Sequence, residues 1–151
     1  MHPIAQALEE LFREENWNIQ QRDEFNYTFG FRGDNSRYDF MATIGETYNT
    51  LSLYANFLLT APDNKLAEVA EFLHRANYGI VIGNFELDFR DGEIRYKVST
   101  DFEDHIPTSQ YISNMISCAL AMSERYVMGL GAVIYGNRSP AEVIDEIEGL
   151  E

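Results

Sequence analysis

Residues 77–98 constrain the fold more than any other part of this chain. A helical stripe of Leu66, Val69, Ala70, Leu73 and Ala76 runs up to Asn77 and stops at Gly79, placed where a left-handed helix cap belongs. Ile80 to Phe89 then reads as a strand. Asp91-Gly92 is the strongest short signal for a hairpin, and Ile94, Tyr96 and Val98 alternate on the returning strand. A helix running into a hairpin therefore lies at the centre of the chain. A two-stranded hairpin is marginal alone, so further strands must complete its sheet.

Those strands lie upstream. Phe25, Tyr27, Phe29 and Phe31 repeat every second residue, as do Tyr38, Phe40, Ala42 and Ile44, and then Leu51, Leu53, Ala55 and Phe57. Period two places each set on one face of a strand. The turn clusters Gly33–Ser36 and Gly45–Asn49 separate them, so they form an antiparallel meander. Trp17 to Gln21 alternates briefly and reads as a short strand or the approach to one. Before it, Pro3 opens a helix over 3–15 whose stripe is Ile4, Leu8, Leu11 and Phe12.

The remaining helices follow the same logic. Thr60-Ala61-Pro62-Asp63 reads as the start of the central helix, with Thr60 as its capping hydroxyl. Thr108 starts the longest helix, with Tyr111, Ile112, Met115, Ile116, Ala119, Leu120, Tyr126, Val127 and Leu130 on one broad face. Gly129 and Gly131 either weaken its end or let something pack closely there. Ser139-Pro140-Ala141-Glu142 is a capping box opening a short last helix. The order is helix, three or four strands, helix, two strands, long helix, short helix. Helices segregated on a mainly antiparallel sheet of about five strands make an α+β domain. No linker, repeat or low-complexity segment divides residues 1–151, and 136–151 read as a short helical extension of one domain.

The run from Leu66 to Val98 resembles the YbjN-like family of bacterial sensory transduction regulators. The residues that carry the resemblance are Asn77, Gly83, Phe85, Glu86, Leu87, Asp88, Asp91, Gly92 and Tyr96, and the element order over about residues 3–135 matches as well. That family is similar in fold to the small chaperones of type III secretion, which are α+β homodimers. The resemblance implies a binding role and a homodimer, and it supplies no catalytic residues.

Charge and composition exclude several classes. Eleven Lys and Arg against 25 Asp and Glu give a formal net charge of -14, with the excess spread along the chain. Such a surface is repelled by nucleic acid and by anionic lipid. It serves solubility or attracts a basic partner. No apolar run reaches the about 18 residues that span a bilayer, and nothing near Met1 reads as a secretory signal. A single cysteine, Cys118, excludes an internal disulfide and a Cys-based zinc site. These features predict a cytoplasmic protein.

Few residues offer chemistry. His2, His74 and His105 are far apart in sequence. His105 follows Asp101, Glu103 and Asp104, but these lack the spacing of a calcium loop and read as a solvated turn. Cys118 lies beside the apolar stripe and reads as a buried, inert thiol. Glu86 and Asp88 stand two apart on a strand and share a face, which suits either acid–base work or a polar outer surface. No glycine cluster leads from a strand into a helix to cradle phosphate, and Arg32-Gly33-Asp34 reads as a plain turn. The expectation is no enzyme, no cofactor and no metal.

Residues 126–135 resist a simple reading. They carry no charge and are apolar on more than one side. Tyr126, Met128, Leu130, Val133, Ile134 and Tyr135 form a self-association surface, a groove for a foreign peptide, or a face covered by the last helix. The expected function is a protein-binding or regulatory domain, chaperone-like or adaptor, serving bacterial stress or sensory regulation. A regulator that senses a small ligand, or an enzyme using Glu86, Asp88 or His105, are the alternatives.

Overall fold

Period-two alternation builds the sheet. In the computed structural model, which describes residues 1–149, six strands form one sheet in the order β1-β2-β3-β4-β6-β5. They are β1 (Gln20–Gln21), β2 (Asn26–Arg32), β3 (Arg37–Ile44), β4 (Thr50–Thr60), β5 (Asn84–Leu87) and β6 (Glu93–Asp101). Every neighbouring pair is antiparallel. The Trp17–Gln21 approach thus contributes a sixth strand of two residues.

The helices are α1 (Pro3–Glu14), α2 (Leu66–Asn77), α3 (Ser109–Tyr135) and α4 (Pro140–Glu148). Tyr27, Phe40, Leu53, Ala55, Tyr96 and Val98 point toward them and are buried, while Thr43, Ser52, Tyr54 and Lys97 lie on the opposite, wetter face. Alternation therefore sorts each strand into a core side and a solvent side. One buried cluster joins α1, the sheet, α2, α3 and α4. Phe12, Phe29, Phe31 and Phe40 meet in edge-on and stacked pairs at one end of it.

Caps largely follow the sequence. Thr108 Oγ1 accepts from the Tyr111 amide at 3.0 Å, and Ser139 Oγ from the Glu142 amide at 3.5 Å. His2 Nδ1 accepts from the Ile4 amide at 3.1 Å, a cap the sequence did not single out.

Three local expectations are corrected. Thr60 caps nothing: β4 runs through it to pair with Glu93, and a 3-10 turn at Asp63–Lys65 leads into α2 instead. Gly79 is not left-handed; α2 ends through Tyr78 at φ -55, and the positive φ falls at Gly83 (φ 80). For that reason the strand expected over Ile80–Phe89 shrinks to Asn84–Leu87. Gly83 breaks the extended line, and the Tyr96 hydroxyl donates to the Ile82 carbonyl at 2.5 Å, holding the preceding loop off the ladder. The hairpin itself stands with a longer loop. Asp88 N donates to Glu93 O at 2.9 Å and Gly92 N to Asp88 O at 2.7 Å, with Gly92 at φ 78.

Candidate protein-docking surface

The geometry divides the expected residues into two groups. Tyr126, Leu130, Val133 and Ile134 are buried by the chain itself, while Met128 (67%) and Tyr135 (75%) are exposed. α4 accounts for part of the difference. It folds back across α3, Val143 and Ile144 join the core, and a Cβ on Gly129 would lie 2.8 Å from Val143 and 2.7 Å from Ile147. Glu148 accepts a hydrogen bond from the Tyr126 hydroxyl at 2.5 Å. Residues 126–135 are apolar on several sides because α3 touches α1, the sheet, α2 and α4. Only Met128 and Tyr135 of the six still face solvent.

Another exposed apolar surface lies in the loop after α2, where the residues from Ile80 onward read as a strand. Tyr78 (96%), Val81 (94%) and Ile82 (55%) project from the loop between α2 and β5. Grooves flank this loop. One, about 450 Å³, includes Cys118, Met122 and Tyr126 of α3; the other, about 420 Å³, includes Val98 and Thr100 of β6 with Tyr111 and Met115 of α3. The loop is held in place. Its Ile82 carbonyl takes the Tyr96 hydroxyl, and a Cβ on Gly83 would meet the Tyr96 ring at 2.5 Å. Cys118 is half-buried here, and burial pushes its thiol up, away from the thiolate a nucleophile needs. The signal for this loop was present in Ile80-Val81-Ile82 lying between two glycines, which also fits a buried strand.

The carboxylates are tied to bases. Glu86 sits 2.8 Å from both Arg95 and Lys97, each on the neighbouring strand. Burial pushes its carboxyl up, but the hydrogen bonds from Lys97 and Arg95 outweigh that and hold it below its usual range. Asp88 is paired with Arg90, whose side chain and backbone hydrogen bonds bring its pKa down to about 2. Both line one hollow of about 420 Å³. Carboxylates held ionised by cations make weak proton acceptors. Arg95 also lies over the Tyr54 ring at 4.1 Å, so this cluster knits the wet face of the sheet.

His74 and His105 are exposed, and the His105 ring lies 3.2 Å from the Asp104 carboxylate. Asp101 accepts from the Glu103 amide and Asn49 from β4's approach donates to the Glu103 carbonyl, so this acidic stretch is a folded turn. Among the described residues no three His, Cys, Asp or Glu gather as metal ligands, and no described helix is long and apolar enough to cross a membrane. Arg32-Gly33-Asp34 forms the β2–β3 turn, latched to α3: Glu124 accepts from the Asn35 amide at 2.9 Å and the Tyr38 hydroxyl at 2.7 Å.

Comparison with known proteins fits this picture. No curated protein matches the chain. The solved structure of the HopA1-SchA chaperone–effector complex contains a chain 14% identical, with a TM-score of 0.54 over 81% of this chain and 91% of that one. A chain of the ExsC-ExsE complex is 15% identical, with a TM-score of 0.51 over 80% and 88%. At such identities the likeness is one of fold alone: an α+β chain shared with the matched chain of each complex. The family described as "YbjN: Putative bacterial sensory transduction regulator" matches residues 5–131, most of the length. This chain belongs to the YbjN family.

Proposed function

We propose that this chain is a non-enzymatic docking domain, chaperone-like or adaptor, that works in the cytoplasm as a homodimer and holds another protein. The observation that carries the reading is the apolar run Tyr78–Ile82, held at the surface between two grooves. Exposing such side chains costs solubility unless a partner covers them. The fold shared with a chaperone seen in complex with its effector supports the same role. The ion-paired state of Glu86 and Asp88 supports the absence of acid–base catalysis. Met128 and Tyr135, the two of the six expected interface residues that remain exposed, offer further apolar contacts on α3.

The test is Val81→Asp, a change at a side chain that makes few contacts of its own. Light scattering of the wild type should give twice the 17.4 kDa protomer mass. Affinity capture from bacterial extract should return a stoichiometric protein that Val81→Asp loses while keeping its melting temperature. A wild type that is monomeric and comes back bare, or a variant that retains every partner, would refute the proposal.

A further inference from the structure

The two edges of the sheet are treated differently. At β5 the edge is sealed. The Asn77 side-chain amide donates to the Phe85 carbonyl at 3.1 Å and accepts from the Phe85 amide at 2.7 Å, so α2 supplies what a neighbouring strand would. At the other edge β1 is only two residues long and pairs β2 at Tyr27 and Thr28 alone. Phe29 to Arg32 have no strand on that side.

The cause lies in the segment before β1. Asn16 leaves α1 at φ 58. The Trp17 ring then lodges edge-on between Phe12 at 5.5 Å and Phe31 at 5.0 Å, drawing residues 16–19 away from β2. A cleft of about 770 Å³ remains, lined by Trp17, Ile19, Gly30, Phe31 and two arginines, Arg22 and Arg32. Backbone parity fixes what faces it. The Phe25 carbonyl and Gly33 amide bond toward β3, and the Asn26 carbonyl bonds toward β1. The even-numbered residues Gly30 and Arg32 therefore aim their amide and carbonyl groups off the open edge.

We infer that this edge of β2, with the cleft beside it, docks an extended peptide of a partner protein in which acidic and apolar side chains alternate. Adding a strand of about four residues, at ~3.3 Å each, would continue β1 along Phe29–Arg32. On one side the strand's residues meet Trp17, Ile19 and Phe31, all partly exposed and apolar. On the other they lie over Gly30, where an added Cβ would touch only the Tyr38 carbonyl at 3.7 Å, leaving room for a large neighbour. The charge there departs from that of the whole. In a chain of net charge -14, Arg22 and Arg32 line the cleft with Asp39 the one carboxylate, and Arg37 stands across the ladder from Arg32. No ion pair engages these three arginines among the described residues. Arg22 is instead braced on Thr28 Oγ1 at 2.7 Å. A second copy would bring the same arginines to one seam, so the charge favours a different, acidic partner. The surface lies at the opposite sheet edge from Tyr78–Ile82 and does not depend on that reading.

Fluorescence anisotropy with a labelled octapeptide of alternating Asp and Leu tests this. It should bind in a 1:1 complex, weaken with rising salt, and bind at least about tenfold more tightly than the Lys–Leu counterpart, a difference of ~1.4 kcal/mol. Arg22→Glu combined with Arg32→Glu should remove that preference, whereas Val81→Asp should leave it intact. Peptides N-methylated at alternate residues should fail to bind in one of the two registers, because the ladder bonds are lost. Equal affinity for acidic and basic peptides, undiminished binding of both N-methylated forms, or conversion of a dimer to a monomer by the double arginine variant would overturn the inference. The N-methylated peptides keep the test decisive even if the arginine variant folds poorly.

Discussion

Replacing Gly92 with Ala probes the hairpin on which the family resemblance rests. Gly92 sits at φ 78, and a Cβ there would lie 2.1 Å from the Ala61 carbonyl oxygen and 3.1 Å from its carbon. Both neighbours are backbone, at a residue that is 3% exposed, so neither can rotate away. The left-handed conformation costs an L-residue about 1–2 kcal/mol. Relieving the contact means pulling Ala61 off the turn, which breaks the 2.9 Å bond from the Ala61 amide to the Gly92 carbonyl. Losing a buried backbone bond adds ~1–3 kcal/mol. The sum is about 2–5 kcal/mol, a large part of the ~5–15 kcal/mol that holds a domain together. For a chain of this size that lowers the melting temperature by roughly 4–20 °C. Urea titration followed by circular dichroism measures it, with Gly92→Asn as the control. Asn tolerates positive φ yet still carries the Cβ, so it should recover only the conformational share. If Gly92→Ala lost less than ~1 kcal/mol, the reasoning about this turn would fail. Gly92→Val should be worse than either.

Three further outcomes follow from the packing. Asn77→Ala removes both bonds to Phe85 and should cost about 1–3 kcal/mol, with faster hydrogen exchange at the Phe85 amide; unchanged exchange would mean α2 does not seal that edge. Gly129→Leu should push α4 off α3, costing ~1–3 kcal/mol by overpacking and raising binding of an apolar dye, since Val143 and Ile147 occupy that space. Burial pushes the Glu124 carboxyl up, but hydrogen bonds from Tyr38 and the backbone of Asn35, Asp34 and Ser36 outweigh it and hold the group below 4.5. The folded state thus favours the ionised form, so its stabilisation is present above that pH and is lost as pH falls through the depressed value; Glu124→Gln should flatten the acid limb of stability against pH, and an unaltered limb would exclude this group.

Legibility in the sequence followed the range of the interaction. Phe25 to Phe31, Tyr38 to Ile44 and Leu51 to Phe57 declared their strands because alternation is a property of a few consecutive residues. The caps at Thr108 and Ser139 were readable for the same reason. Gly79 reads as the left-handed position because it follows the helical stripe directly, yet the positive φ falls at Gly83. What separates them is the Tyr96 hydroxyl, which reaches the Ile82 carbonyl from fourteen residues away. Thr60 reads as a cap because nothing local shows that Glu93 pairs with it across the ladder.

By itself the sequence determined the α+β class, the meander, the hairpin turn and the order of the helices, since each rests on side-chain period or on a glycine that must adopt a special backbone angle. Which apolar surface stays exposed was decided only in three dimensions. α4 packs across α3 at Tyr126 and Gly129, within a segment that reads as an interface, while Val81 remains in water although it reads as part of a strand. Tertiary contacts likewise decided that one sheet edge is closed by Asn77 and the other is left open by Trp17. Exposure depends on which distant segments arrive to cover a residue, and no periodicity within a strand or helix encodes that arrival.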